Sequence, residues 1–519
     1  MSSSMFFGTW YSIIPPLLAI ILAFVTKEVY SSLFIGAFLG AFLYANFDLW
    51  GTFDTFFTMM EKNLDIKVII FTLMLGMIAV LLKKSGGSQA YGKFALQKLK
   101  TRKSSLFATA LLGIIIFIDD YFNCLTIGSV MRPVTDKNKI SRAKLAYLID
   151  STTAPICIIA PISSWAAVIS SYVPKESPIP GFQLFIKTIP FNLYAFLTIF
   201  TVLYLIVIGF DFGLMEKHER NAEAGDLFTD HAEDFKESEK ECENSRGTIS
   251  DLVFPIIILV ICSVGGMIYT GLLNGGTTVA EAFSKCDSPV SLIFGTFVTM
   301  LVMFIYYTSR KVLTFKEYTD SFSEGIKAMA PAVLILTLAW TLKGITSALG
   351  LGNFIGSFMT ESILMSSFTP LILFLISVFV SFSTGTSWGT FAILVPLAGL
   401  LFKYPSQQQM MIISVSAILA GSVCGDHVSP ISDTTIMSSA GAQCYHMNHV
   451  STQMQYAMIP LIGCFIGYIV AGYTKNWAIS LFVGIIIVLL EIHAIKWRKE
   501  RKQKDLSDKT KLDLNDEKK

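Results

Sequence analysis

Apolar residues run through this chain in long blocks rather than with the two-residue or roughly 3.6-residue rhythm of soluble elements. Blocks of about 18 residues or more that lack charges are long enough to cross a bilayer as helices. Eleven such blocks are legible, at roughly 9–26, 29–46, 67–82, 145–166, 189–210, 252–270, 290–307, 328–346, 410–430, 456–473 and 478–495. Two further apolar regions, 104–133 and 368–402, are long but interrupted by polar residues. The first block does not read as a cleavable leader: residues 1–10 carry no Lys or Arg, and Pro15 and Pro16 sit inside the run.

Lys and Arg in short loops set orientation, because such loops stay cytoplasmic. The loop 83–103 holds seven basic residues and no acidic ones, and 131–144 holds five against Asp136 alone. The loop 47–66 instead carries Asp48, Asp54, Glu61 and Asp65. The N-terminus is therefore expected outside, and the C-terminus inside.

Composition narrows the class. Hydrophobic residues make up 53% and charged residues 15%, against about 25% charged in soluble domains, and mean hydropathy is +0.59. A soluble enzyme, a nucleic-acid binder or a disordered chain is excluded on that balance. The eight cysteines form no CxxC pair, which argues against a disulfide framework or a zinc site. One stretch departs from the pattern. Residues 211–250 contain twelve Asp or Glu and five Lys or Arg, and read as a solvated cytoplasmic linker. The division is thus a first transmembrane half (1–210), the acidic linker (211–250), a second half (251–497) and a charged cytoplasmic tail (498–519).

Parity then fixes a relation between the halves. Both ends of 104–133 fall inside, so this region enters the membrane and turns back; 368–402 does the same from outside. The expectation is an all-α polytopic membrane protein with about eleven transmembrane helices plus two re-entrant hairpins in an inverted-repeat arrangement. Inverted repeats with broken segments near mid-depth are the architecture of secondary transporters. Ala154-Pro155-Ile156-Cys157 and Ser429-Pro430-Ile431-Ser432 are a short echo between the halves.

Four clusters place polar groups where hydrocarbon is expected. They are Asp119-Asp120-Tyr121-Phe122-Asn123, Asp150-Ser151-Thr152-Thr153-Ala154-Pro155, Ser383 to Thr390, and Gly425 to Thr435. Each central Asp costs roughly 2.5–3.5 kcal/mol to insert, so intramembrane carboxylates read by default as an ion or substrate site. Pro155 and Pro430 cannot donate to the carbonyls of Ser151 and Asp426, and each break is expected to free an oxygen beside an acid. Carboxylate, hydroxyl and carbonyl together suit a hard monovalent cation, Na+, and a proton can take its place. His427 reads as a proton shuttle or as a brace for the break. His446 and His449 read as interfacial polar groups, and Lys343 as a side chain that snorkels outward or else pairs with a carboxylate. Gly350 to Gly356 matches no nucleotide loop. Asp426 follows Val423-Cys424-Gly425, which lacks the GxGD pattern of an intramembrane aspartyl protease, and no enzyme is expected.

The run Gly425-Asp426-His427-Val428-Ser429-Pro430-Ile431-Ser432-Asp433-Thr434-Thr435, with His446, His449, Thr452, Gln453 and Tyr456 beyond it, resembles the NhaC-type Na+/H+ antiporter family. Asp119 to Asn123, Met131 to Asp136, Asp150-Ser151-Thr152 and Gly385 to Thr390 resemble it too. The resemblance implies a multi-pass carrier of the cytoplasmic membrane that moves Na+ and H+, with no cofactor. The family also includes carriers of organic acids and amino acids coupled to Na+, so a small organic solute stays open as a partner beside lipid, as does a homodimer. The residues carried over for ion or substrate binding are Asp119, Asp120, Asn123, Asp150, Ser151, Thr152, Thr384, Thr386, Ser387, Asp426, Ser429, Asp433 and Thr434. The proton-carrying candidates are Asp150, Asp426 and His427.

Overall fold

The computed structural model describes residues 4–26, 28–87, 90–91, 94, 99, 101–117, 120–161, 163, 165–166, 169, 172–173, 177–230, 233, 247–357, 367–402 and 407–516. Among these the chain is helical, without strands. The first half contains α1 (Ile14–Thr26), α2 (Val29–Tyr44), α3 (Leu49–Asn63), α4 (Ile66–Lys84), α5 (Arg102–Ile115), α6 (Asp120–Lys137), α7 (Arg142–Cys157), α8 (Gly181–Thr188) and α9 (Leu193–Ile208). Then α10 (Gly213–Ala224) precedes α11 (Ser250–Leu273), α12 (Val279–Ser284), α13 (Ser288–Ser309), α14 (Phe315–Ala348) and α15 (Leu351–Gly356). The last elements are α16 (Thr369–Thr384), α17 (Ser387–Leu401), α18 (Gln408–His427), α19 (Asp433–Ala442), α20 (His446–Thr474) and α21 (Trp477–Asp516).

Six helices among the described residues are long and apolar enough to cross a membrane, or up to nine when each bent helix pair is one crossing. The all-helical class stands, and the count of eleven is not confirmed among the described residues. Two expected spans end early. In the block 145–166 the helix that begins at Arg142 ends at Cys157, where Pro155 and Pro161 flank its end and interrupt the backbone ladder. The block 410–430 stops at His427, ahead of Pro430, and α19 starts afresh at Asp433. Residues 47–66, read as a loop, are mostly α3, which buries Thr52 and Phe56 on one face.

Both interrupted regions are helix pairs. The first is α5 and α6, separated at 116–119; the second is α16 and α17, separated by Gly385 and Thr386. Gly385 closes α16 in the left-handed conformation at φ +65°, and a Cβ there would stand 2.4 Å from the Ile431 carbonyl oxygen. The turn of the second pair is thereby pressed onto the break between α18 and α19. New helices start from side-chain caps: Thr386 accepts from Gly389 N at 3.3 Å, and Ser432 from Thr435 N at 3.2 Å.

Two helices form the centre. Every residue of α7 is buried, and so is nearly all of α18, with α16 packed along α18 and α5, α6, α9 and α19 around α7. Shielded from lipid on all sides, these helices can carry polar side chains that protein partners satisfy. The acidic segment is not wholly solvated: α10 packs on α20 and α7 and buries Met215, His218, Glu219 and Ala222.

Candidate functional site

Three helix N-termini meet at one place: α6 at Asp120, α17 at Ser387 and α19 at Asp433. The Trp388 indole donates to Asp120 Oδ2 at 3.4 Å, and the Tyr121 hydroxyl to Asp433 Oδ2 at 2.9 Å. Thr434 N also donates to Asp433 Oδ1 at 2.9 Å. Helix starts present unpaired N–H groups and partial positive charge, which supports ionised carboxylates here. The helix ends at Thr384 and His427 adjoin the same breaks.

Asp426 is the central carboxylate. It is fully buried. Its Oδ2 lies 3.1 Å from Ser387 Oγ and 3.0 Å from Thr434 Oγ1, both hydroxyl donors. Its Oδ1 makes no hydrogen bond among the described residues, with the Ser432 hydroxyl close by. A buried carboxylate oxygen without a donor is costly, and a cation or a proton removes that cost. The backbone arrangement differs from the sequence expectation. The Asp426 carbonyl is not free, since Ser429 N donates to it at 3.0 Å; the turn after His427 refolds to supply the donor that Pro430 lacks.

Asp150 has a different environment. Its oxygens accept from Thr435 Oγ1 at 2.9 Å, from Ser438 Oγ at 3.2 Å and from Gln453 Nε2. Its hydrogen-bonding capacity is filled by protein, which makes it a tie from α7 to α19 and α20. Gln453 Nε2 also donates to the His427 carbonyl at 2.9 Å. His427 Nδ1 meets the Tyr194 hydroxyl at 3.1 Å, while its Nε2 has no hydrogen-bond partner among the described residues.

The remaining candidates divide by what already holds them. Asn123 donates to the carbonyls of Gly113, at 2.9 Å, and Ile116, and accepts from Thr153, so it closes the end of α5. The Thr152 hydroxyl returns to the Leu148 carbonyl at 2.7 Å, and Thr152 packs where a Gly113 side chain would be. Ser151 bonds with Tyr147. The Ser429 hydroxyl donates to the Phe382 carbonyl at 2.8 Å, fastening the break to α16. Asn123, Ser151, Thr152 and Ser429 therefore stand as braces around the cluster. Asp119 lies outside the described residues. Thr384 donates to the Val380 carbonyl at 2.8 Å and, like Thr386, lines a cavity of about 190 Å³.

That cavity holds a residue that sequence reasoning directed elsewhere. Lys343 does not snorkel outward; it lines the cavity with Tyr172, Ser347 and Trp388, where the charges of Asp433 and Asp426 act on it. A Cβ on Gly389 would stand 3.2 Å from Lys343 Cε, so the glycine leaves room for the side chain. His446 and His449 are both buried against α19, and His449 Nε2 stands 3.8 Å from Asp150 Oδ2. Their signal in the sequence was the polar first turn of an otherwise apolar helix. Among the described residues no group of three or more His, Cys, Asp or Glu is placed to hold a metal ion.

Comparison with known proteins adds the following. The profile of the Na+/H+ antiporter family matches residues 174–473. An uncharacterised protein of Haemophilus influenzae is 35% identical over 515 residues, covering 95% of this chain and 96% of its own. The malate-2H+/Na+-lactate antiporter of Bacillus subtilis is 28% identical over 217 residues, 41% of this chain and 42% of that one. An uncharacterised Na+/H+ antiporter of Haemophilus influenzae is 27% identical over 186 residues, 34% and 36% of the two chains.

Proposed function

This chain belongs to the Na+/H+ antiporter family, a multi-pass membrane transporter and not an enzyme, and from that premise we propose that it exchanges Na+ for H+ by alternating access in the cytoplasmic membrane. The observation that carries this reading is Asp426 Oδ1, buried within the convergent breaks with the Ser432 hydroxyl close by and with no hydrogen bond of full geometry among the described residues. Asp120, Asp426, Asp433 and Lys343 together sum to a charge of minus two when all are ionised. A monovalent cation lowers that charge by one, and so does a proton on one carboxylate. Na+ at Asp426, with the Ser387, Ser432 and Thr434 hydroxyls turned to offer lone pairs, and a proton at the same carboxylate are mutually exclusive. Competition of this kind couples the two fluxes.

Everted vesicles test the reading. Added Na+ should dissipate a respiration-driven pH gradient when this protein is present, and vesicles lacking it should keep the gradient. No dissipation at any pH between mildly acid and mildly alkaline would contradict it.

A second reading has its own support. Lys343 lines a cavity with hydroxyls and an indole, and three helix N-termini point to the same region, which is how half-helices in carriers address anionic groups. A small organic acid could place its carboxylate against Lys343 beside the bound Na+. Na+-dependent uptake of labelled short carboxylic acids, abolished in Lys343→Gln, would favour this reading. Na+/H+ exchange unaffected by such acids would favour the first.

A further inference from the structure

His446 and His449 face one hydroxyl. Ser439 Oγ is 3.0 Å from His446 Nδ1, 2.9 Å from His449 Nδ1 and 2.8 Å from the Thr435 carbonyl. The outer nitrogens are settled by their partners. His446 Nε2 lies 2.8 Å from the Pro430 carbonyl, which can only accept, so this nitrogen carries a hydrogen. His449 Nε2 lies 3.1 Å from Gln453 Oε1. The Gln453 amide cannot be reversed, because its nitrogen serves Asp150 and the His427 carbonyl. His449 Nε2 therefore carries a hydrogen as well.

With both imidazoles neutral, both Nδ1 atoms present lone pairs to Ser439. Its single hydrogen also has the Thr435 carbonyl as an acceptor at 2.8 Å and can serve at most one ring, so at least one ring lone pair faces an oxygen lone pair inside a buried site. One added proton relieves this: an imidazolium Nδ1–H donates to a lone pair of Ser439 Oγ. The arrangement is short of a proton when neutral and better bonded when it carries one positive charge.

We propose that His446, Ser439 and His449 form a proton-binding site, loaded in the Na+-free protein, distinct from the carboxylates at the helix breaks. The groups that face it favour this charge. From α7, Asp150 Oδ2 stands 3.8 Å from His449 Nε2, and Arg142 turns away to the Ala442 carbonyl at 2.8 Å and to Asp136. From α18, His427 is held by Tyr194 of α9. Cys444 lies in the turn before α20, and α19 contributes the hydroxyls of Ser438 and Ser439. The acidic Glu219 of α10 is engaged with Arg102 and Ser141 N. The site and the ion cluster share α19: Ser439 is on its body and Asp433 at its start. A charge at either end disfavours a cation at the other, and such coupling is reciprocal.

The link to transport rests on the exchange reading, but the proton can be observed without transport. In liposomes containing protein with 15N-labelled histidine, nitrogen resonances assigned through backbone correlations report each ring directly. The expected result at neutral pH without Na+ is one imidazolium among His446 and His449. Two neutral rings under those conditions would overturn the proposal. Purified protein in weak buffer should also release protons when Na+ is added, and the release should fall but persist in His449→Gln, because the proton at Asp426 is displaced as well. Undiminished release from that variant would overturn it as well. A wild type that shows the imidazolium but releases no proton counts against the exchange reading and in favour of the site.

Discussion

The Tyr121 hydroxyl donates to Asp433 Oδ2 across 2.9 Å, joining positions 312 residues apart. A residue at the tip of the first hairpin thus orients a carboxylate at the break in the second half. Tyr121→Phe removes the donor and leaves the ring in place. A hydrogen bond to a charged group contributes roughly 1.5–3 kcal/mol, so half-saturation for Na+ should rise by about tenfold or more, read in a transport assay over a Na+ series. Unchanged half-saturation would detach Asp433 from the ion site.

Asp426→Asn keeps the shape of the side chain and removes its charge. Loss of one member of a buried charged set costs about 3 kcal/mol, or roughly 100-fold in affinity. Na+ binding to the purified variant, measured by calorimetry, should weaken to that degree while its helical content stays as in the wild type. Asp150→Asn, whose partners are all protein groups, should instead lower thermal stability and leave Na+ affinity within a few-fold.

Gly385→Ala tests the contact between the second hairpin and the broken helix. A left-handed alanine costs roughly 1–2 kcal/mol, and its methyl group would meet the Ile431 carbonyl at 2.4 Å. The variant should unfold at lower temperature than the wild type and transport poorly. A neutral effect would mean that the two breaks separate freely.

Lys144, almost entirely buried, pairs with Asp211, which also accepts from the Tyr456 hydroxyl at 2.6 Å. Burial alone would raise the Asp211 carboxyl, but the Lys144 ammonium and these hydrogen bonds outweigh it and hold the group below its ordinary range. A lowered value means the stabilisation is present above the unfolded pKa of about 3.9 and is lost as pH falls through the folded value. Asp211→Asn strands the buried lysine and should cost about 3 kcal/mol at neutral pH. In thermal melts over a pH series, the wild-type advantage should persist to about pH 4 and fade below it. An advantage that disappears near neutrality would contradict the assignment.

Much of the framework was legible in the chain. The region 368–402 contains α16 and α17 almost to the residue, because Gly385 and its hydroxyl-rich neighbours interrupt an apolar run that has no other reason to carry them. Asp120, Asp426 and Asp433 stood out for the same reason. The ends of α7 and α18 were not legible: both stop short of where hydropathy runs on, and the break after α18 is also tied to α20 through Gln453 and to α16 through Ser429. Lys343, His446 and His449 were misplaced because periodicity reports a helix face, not what covers it. His449 is enclosed by α7 and α19, segments far away or separated from it by a turn, and only the packed structure brings Asp150 beside it.

The central claim is that one Na+ and a proton compete across these convergent breaks. Uptake of radioactive Na+ into acid-loaded proteoliposomes tests it most directly. The account predicts rapid accumulation in the wild type, abolished when an ionophore collapses the pH gradient and absent in Asp426→Asn. Uptake that ignores the pH gradient, or that survives in Asp426→Asn at the wild-type rate, would contradict it.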